Sequence, residues 1–255
     1  MELPPIDPQD IEIAAFVALV LLFEVSERVW PARAVDRRAH LRTDLLSFVL
    51  AIAMNRVATS AVTASVGSVE ERTGSGMFAE LQALPGIVRI AMAVVLVDFC
   101  LYWIHRAQHR YELLWRTHAW HHTIENLYWF SGFRTSFLHS LLYNVPQAAL
   151  PMLVFRLTPL QTGAAYAFGL FVQFWEHTNL RVTLGPLRRW FMTPGYHRIH
   201  HSATEHRGKN LAPIFPVWDR MFGTYVDPQS VSTAFPVGLG EPLRKEQAPR
   251  MLLGV

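Results

Sequence analysis

Three groups of histidines carry the chemistry open to this chain. His105-Arg-Ala-Gln-His109 has the spacing HxxxH, and His118-Ala-Trp-His121-His122 and His197-Arg-Ile-His200-His201 both have the spacing HxxHH. On a helix, positions i, i+3 and i+4 share one face with Cβ atoms about 5–6 Å apart. Two imidazoles placed that way reach one metal ion. A third, adjacent histidine is turned by about 100° and reaches a second ion or braces the first. Eight imidazoles exceed the coordination of a single ion, so the pattern implies two metals. With histidine at roughly 5% of the chain, HxxHH is expected by chance on the order of 0.03 times, and it occurs twice here.

Imidazole suits zinc, copper, iron and nickel. Structural zinc normally draws on cysteines as well, and Cys100 is the only cysteine, which excludes an internal disulfide and a thiolate cluster. A nitrogen-rich shell around two redox metals suits the reduction and splitting of dioxygen. Two more histidines belong in the argument. His177, in Trp175-Glu176-His177-Thr178-Asn179, ends the last apolar segment, where the chain returns beside the cluster, and reads as a ligand. His139, in Phe137-Leu138-His139, reads either as a ligand or as an ordinary buried histidine. His40 and His206 lie in charged stretches and read as solvated. Asp98 precedes His105 by seven residues on the same helical stripe. Its carboxylate can accept the imidazole N–H turned away from a metal, or pair with an arginine. Asn179 and Asp219, with Asn126 and Glu112, are weaker candidates for the same supporting role. Arg106, Arg110, Arg116 and Arg198 flank the histidines and read as holding headgroups or carboxylates.

The elements that must position these groups are apolar helices. Of 255 residues, 51% are hydrophobic and 17% charged, against about 25% charged in ordinary soluble domains. The net charge of +3 comes almost wholly from arginine, since Lys209 and Lys245 are the only lysines. No basic block of the kind that grips nucleic acid is present. Apolar stretches run over 11–29, marred by Glu24 and Glu27, over 45–66, with Asn55 and Arg56 inside, and over 85–104. A last one, 137–174, is broken by Pro146, Pro151 and Pro159 and reads as a kinked hairpin. Residues 67–84 read as a loop, and residues 1–10 lack the positive n-region of a signal peptide. Each long stretch approaches the roughly 20 residues that cross a bilayer. Arg28, Arg33, Arg37, Arg38 and Arg42 follow the first stretch and put that end in the cytoplasm. The third span and the hairpin then return the chain to the same side, so every histidine from His105 onward lies near the cytoplasmic face.

The expected architecture is an all-α integral-membrane bundle of about four spans or span-like segments, carrying a cytoplasmic histidine-rich metal-binding cap. Residues 1–94 would form N-terminal spans and loops, 95–228 the catalytic region and 229–255 a loose tail, within one integrated domain. The competing reading is a soluble all-α protein. Arg56 argues for it, because an intramembrane arginine must face the bundle interior or a polar cavity.

Five stretches together resemble the fatty acid hydroxylase/sterol desaturase superfamily. They are Asp98-Phe-Cys-Leu-Tyr-Trp-Ile-His105-Arg-Ala-Gln-His109, Leu114-Trp-Arg-Thr-His118-Ala-Trp-His121-His122, Phe174-Trp-Glu-His177-Thr-Asn179, Thr193-Pro-Gly-Tyr-His197-Arg-Ile-His200-His201 and Trp218-Asp-Arg-Met-Phe-Gly-Thr-Tyr225. The likeness covers about residues 95–228, and the N-terminal spans match only as hydrophobic segments. It implies a helical membrane enzyme, of a bacterial inner membrane or the endoplasmic reticulum, whose cap holds two irons. Such an enzyme uses O2 and external electrons on an inert C–H bond of a lipid-like substrate. By match, His105, His109, His118, His121, His122, His197, His200 and His201 are implied iron ligands, and His177 matches a position kept near the metals. Phe133-Arg-Thr-Ser-Phe-Leu-His139 looks like the branch that contains alkylglycerol monooxygenase, which favours a functional His139 and keeps a pterin reductant open. About thirty residues follow Tyr225, too few for a haem or flavin domain, so electrons come from a partner or a diffusible donor. Phe99, Tyr102, Trp103, Trp129 and Phe130 are candidate lining residues. A lipid or sterol desaturase with the same metals, and a non-catalytic membrane protein with a structural metal, remain the rival functions.

Overall fold

The computed structural model describes residues 8–73, 78–232, 234–241 and 243–255. Residues 1–7, and residues 74–77 within the stretch expected to be a loop, lie outside them. In chain order the helices are α1 (Pro8–Val29), α2 (Leu41–Thr73), the single turn α3 (Ala79–Gln82), α4 (Gly86–Arg110), α5 (Glu112–Ala119), α6 (Phe137–Ala149), α7 (Pro159–His177), α8 (Pro194–His200), α9 (Val217–Phe222) and α10 (Ala248–Leu253). Short 3₁₀ turns at His121–Thr123 and Trp129–Phe133 bridge α5 and α6. Among the described residues there is no strand, only the isolated bridges Pro31↔Leu180 and Ser202↔Val237.

Local chemistry sets the boundaries. Ser136 opens α6 by accepting the His139 amide, and Thr193 opens α8 by accepting that of Tyr196. Thr158 and Gln161 form a reciprocal capping box ahead of α7, whose first residue is Pro159. Pro146 and Pro151 cannot donate backbone hydrogen bonds, and α6 accordingly passes into a π turn, Leu150–Val154, before the chain reverses. Helix α2 is longer than its apolar stretch: it continues through Gly67 to Thr73, where a loop was expected. Its last turns carry Ser65 and Ser68 hydroxyls that bond back to the Ala61 and Ser65 carbonyls, so polar residues there stay helical.

The arms of the expected hairpin do not pack mainly on each other. Helix α6 lies along α2 and touches α4, whereas α7 lies along α1. The α2–α6 seam is tied by polar groups inside apolar surroundings. The Asn144 amide donates to Asn55 Oδ1 (2.9 Å) and the Ser140 carbonyl (2.7 Å), while its oxygen accepts from Thr59 (2.8 Å). On the α1–α7 side, Phe16, Phe23 and Phe174 pack with Trp129, whose indole stacks on Phe174 at 5.1 Å and 7°.

The bundle has two distinct ends. The C-termini of α1, α4 and α7 and the N-termini of α2 and α6 meet at the end that holds the histidines. At the other end, Arg156 pairs with Glu70 (2.8 Å), and Arg89 donates to the Phe155 and Arg156 carbonyls. The outer wall is apolar: Leu21, Val25, Val49, Val57, Ile87 and Val95 are exposed. Helices α2 (over Leu41–Arg72) and α4 are long and apolar enough to cross a membrane, and only 22% of each apolar window is buried within the chain. A core helix of a soluble protein would be mostly buried, so this apolar surface suits lipid contact. Arg56 is on the exposed side of α2 rather than inside the bundle.

Residues 229–255 are not the loose tail expected. The Gly238 amide donates to the His201 carbonyl (3.0 Å), Arg33 reaches the Phe235 carbonyl, and α10 packs on α5 and α6. A six-residue helix has too few turns to display a hydrophobic period. Replacing Asn144 by Leu should cost about 1 kcal/mol, the usual worth of such an interhelical bond. That lowers the thermal midpoint in detergent by about 2–4 °C, and an unchanged midpoint would show that the seam rests on packing alone.

Candidate metal centre

Nine histidines converge in two groups. His105, His109, His118, His122 and His200 form one, and His121, His177, His197 and His201 the other; within each, the candidate ligand atoms all lie within 4.8 Å of one another. Each HxxHH motif is divided between them. Its i, i+4 pair (His118 with His122, His197 with His201) enters one group and its middle histidine the other. The helical turn explains this, since the residue beside the second member of the pair points about 100° away. His177 arrives at the C-terminus of α7.

The protonation pattern tests whether these rings fit a metal. A carbonyl oxygen only accepts, so a ring nitrogen bonded to one carries the proton. His121 Nδ1 donates to the Arg134 carbonyl (3.0 Å) and His177 Nδ1 to that of Gln173 (2.9 Å). In the neutral rings both Nε2 atoms then present lone pairs, and these two atoms lie 3.2 Å apart. Such an arrangement is repulsive without a cation to share. In the five-histidine group, His105 Nδ1 donates to the Leu211 carbonyl (2.7 Å) and His200 Nδ1 to that of Lys209 (3.0 Å). Their Nε2 atoms face His118 Nε2 at 2.9 Å and His122 Nε2 at 3.0 Å. His109 Nε2 is buried without a hydrogen-bond partner among the described residues. An outward N–H held by a carbonyl and an inward lone pair is the usual posture of a metal-binding histidine.

Four buried carboxylates fix the backbone around these rings. Asp219 accepts the Leu211 and Ala212 amides (2.8 and 2.9 Å) and the Tyr196 hydroxyl, and so orients the carbonyl that holds His105. Asn210, in the left-handed conformation at φ 54°, bonds both ways with Val226 and fixes the neighbouring Lys209 carbonyl. Asp44 accepts from Arg134 (2.6 Å) and Tyr128 (2.8 Å), and Arg134 supplies the carbonyl for His121. Glu27 accepts the Trp129 and Asn179 amides and the Arg37 guanidinium (2.8, 2.7 and 2.6 Å). Asp98 accepts the Ile214 and Phe215 amides and the Trp218 indole N–H (2.8, 3.1 and 2.8 Å). Its hydrogen bonds go to the loop before α9, not to an imidazole as the helical stripe suggested, because that loop crosses α4 at this level. Asp219 and Asn179 also act at one remove: the Asn179 side chain joins the Arg33 carbonyl to Arg198.

His139 does not join either group of donors. The Gln108 amide donates to its Nδ1 (3.2 Å), which therefore carries a lone pair and accepts from His118 Nδ1 (3.2 Å), while its ring stacks on Tyr143 at 4.0 Å. It fixes the tautomer of His118 from outside the two groups. His40 pairs with Glu125 (3.3 Å) and His206 sits beside Phe235, both away from the nine. Arg106 is turned to Tyr102 and the Phe222 carbonyl. Tyr102 and Trp129 are packed within hydrophobic clusters, so these two expected lining residues serve the core. Glu27, Asp44 and Arg134 were missed because two acids in or beside apolar helices and a lone arginine have no periodic signature; only their cost of burial marks them.

Burial, reinforced by the neighbouring rings, holds the imidazoles of His118, His122, His197 and His201 well below their ordinary value of 6.5. The folded chain thus keeps them neutral, whereas the unfolded chain takes up protons below 6.5. Metal-free protein should therefore lose stability as pH falls through that value. Equal melting temperatures at about pH 7.5 and 5.5 would contradict it. The Trp129–Phe133 turn approaches His177 so closely that a Cβ on Gly132 would lie 2.5 Å from the His177 ring. Gly132→Ala should displace that ring and weaken binding of at least one metal ion about tenfold, measured by metal titration of the folded variant.

The fatty acid hydroxylase family matches residues 90–224, or 135 of 255 residues. The chain is 37% identical to alkylglycerol monooxygenase of Xenopus tropicalis over 134 residues, 51% of this chain and 29% of that protein. It is 33% identical to ornithine lipid hydroxylase OlsE of Rhizobium tropici over 154 residues, 58% of this chain and 45% of that protein. Likeness extends to very-long-chain aldehyde decarbonylase GL1-9 of Oryza sativa subsp. indica, at 26% over 137 residues and 53% of each chain. The matched stretch thus spans less than half of the monooxygenase and of the ornithine lipid hydroxylase. No solved structure matches the chain. The matched residues contain eight of the nine converging imidazoles' motif positions together with His177, and the chain belongs to the fatty acid hydroxylase family.

Proposed function

We propose that the protein is a membrane-bound, O2-dependent di-iron oxygenase that hydroxylates a C–H bond of a lipid-like substrate. The observation that carries this reading is the pair of imidazole groups whose inward nitrogens present lone pairs to one another at about 3 Å, as between His121 and His177 (3.2 Å). His105, His109, His118, His122 and His200 would hold one ion, and His121, His177, His197 and His201 the other. His139 would brace His118. Bound iron would supply activation of O2 and the oxidising power for an inert C–H bond. The protein's own part is to hold nine neutral rings, five of them in fixed tautomers, to keep bulk water from them, and to present the substrate.

The names of the relatives support a lipid-like substrate, since they denote an alkylglycerol monooxygenase and an ornithine lipid hydroxylase. The apolar outer wall supports a multi-pass membrane protein, with α1, α2, α4, α6 and α7 as the bundle. Lipid would then enter laterally, from the membrane. The arginines between α1 and α2 lie at the histidine end, which supports a cytoplasmic metal centre. Arg37 also pairs with Glu24 and Glu27 (2.8 and 2.6 Å), so this charge has a structural duty beside any topological one. Electrons would come from an external donor, either a partner protein or a diffusible reductant such as a pterin.

Full-length protein reconstituted anaerobically with Fe(II) should hold two irons per chain. Given 18O2 and membrane lipid with a reductant, it should yield a product carrying the label. His121→Ala should lose one iron and the product, whereas His40→Ala should keep both. Full turnover by His121→Ala would refute the site, and an unsaturated, unlabelled product would redirect the reading to a desaturase.

A further inference from the structure

Glu176 differs from every other buried acid around the centre. Its side chain is 12% exposed, yet among the described residues no amide, hydroxyl or guanidinium donates to it. Glu27, Asp44, Asp98 and Asp219 each collect two or three such donors. The groups that Glu176 does face are imidazole edges. One oxygen lies 3.5 Å from His177 Nδ1 and the other 3.9 Å from His197 Nδ1. Both contacts are on the outer side of the rings, because the Nε2 atoms of His177 and His197 face each other at 3.1 Å. The Nδ1 atoms of His121, His177, His105 and His200 have backbone carbonyls as acceptors. For His197 no backbone carbonyl accepts from Nδ1 among the described residues, and the Glu176 carboxylate lies 3.9 Å away.

A carboxylate taken out of water without compensation is costly. Two imidazoles supply that compensation when their inward nitrogens bind a cation, since each Nδ1–H then becomes more positive. A carboxylate on the outer nitrogen raises the basicity of the ring and fixes its orientation in return. In the five-histidine group the outer nitrogens of His105 and His200 rest on backbone carbonyls and that of His118 on His139, and among the described residues no carboxylate oxygen lies within 4 Å of these ring nitrogens.

We propose that Glu176 is the positioning carboxylate of the four-histidine group, holding His197 from its outer nitrogen, lying beside the His177 N–H that Gln173 already accepts, and making the two metal positions unequal. The proposal rests on the two-metal reading given above. The four-histidine position, though one imidazole poorer, gains a negative charge beside it. It should therefore hold a divalent ion through Glu176 in a way the other position does not.

The test titrates metal-free, full-length protein in detergent with Co2+, read by equilibrium dialysis and by the visible spectrum of the bound ion. Wild type should bind two ions. Glu176→Gln, which keeps the size but not the charge, should bind one ion as wild type does and the other about 10–100-fold more weakly. The weakened ion should be the one whose spectrum His197→Ala abolishes, and Glu176→Asp should restore part of the affinity. The metal-free Gln variant should melt no lower than wild type. Two ions held by Glu176→Gln with wild-type affinity would overturn this inference and leave the two-metal reading standing. Equal loss of both ions with a lower metal-free melting point would also overturn it, in favour of a purely structural role. A wild-type chain that takes fewer than two ions would overturn the two-metal reading and this inference with it.

Discussion

Nine neutral imidazoles are held so close that their inward lone pairs oppose one another, and the rest of the fold exists to make that arrangement tolerable. Left to themselves, His121 and His177 would turn away from a 3.2 Å contact between unprotonated nitrogens. They cannot, because each outer N–H is tied to a backbone carbonyl. Packing and hydrogen bonds elsewhere keep them there.

The carbonyls are themselves held. Asp219 pins Leu211, Asn210 fixes the chain beside Lys209, and Asp44 pins Arg134. Glu27 gathers the amides of Trp129 and Asn179, joining the end of α1 to the turn before α6 and to the exit of α7. Each buried acid would be a liability alone, and each is offset by several donors that converge on it. The acids therefore work as clamps between segments distant in sequence. Glu27 is 152 residues from Asn179, and Asp98 is 116 from Ile214. Two charged groups that mar the first apolar stretch, Glu24 and Glu27, turn out to be parts of this clamp through Arg37.

The apolar bundle beneath serves a different requirement. Its outward residues face away from the chain's own interior, so they cannot owe their places to core packing. They suit a solvent of lipid, in which all backbone groups must be paired within the helix. The Asn144 amide inside the bundle is matched with Asn55 and Thr59.

The histidine spacings determined the metal-binding character on their own, since i, i+4 geometry depends only on the helix. The apolar stretches pointed to an all-helical chain, because continuous apolar runs of about 20 residues suit a helix that pairs its own backbone in lipid, not the short alternating strands of a barrel. Which ring joins which group was open until the fold brought α4, α5, α7 and α8 together. The same holds for His139, which lies one ring behind His118, and for Asp98, which reaches a loop 116 residues away. Glu176 was in plain view beside His177, but its meaning depends on having no hydrogen-bond donor among the described residues, and a sequence does not record partners. Local spacing is written in the chain, whereas the tautomer of a ring and the neighbours of a buried charge are set by contacts between distant segments, and only the tertiary structure decided them.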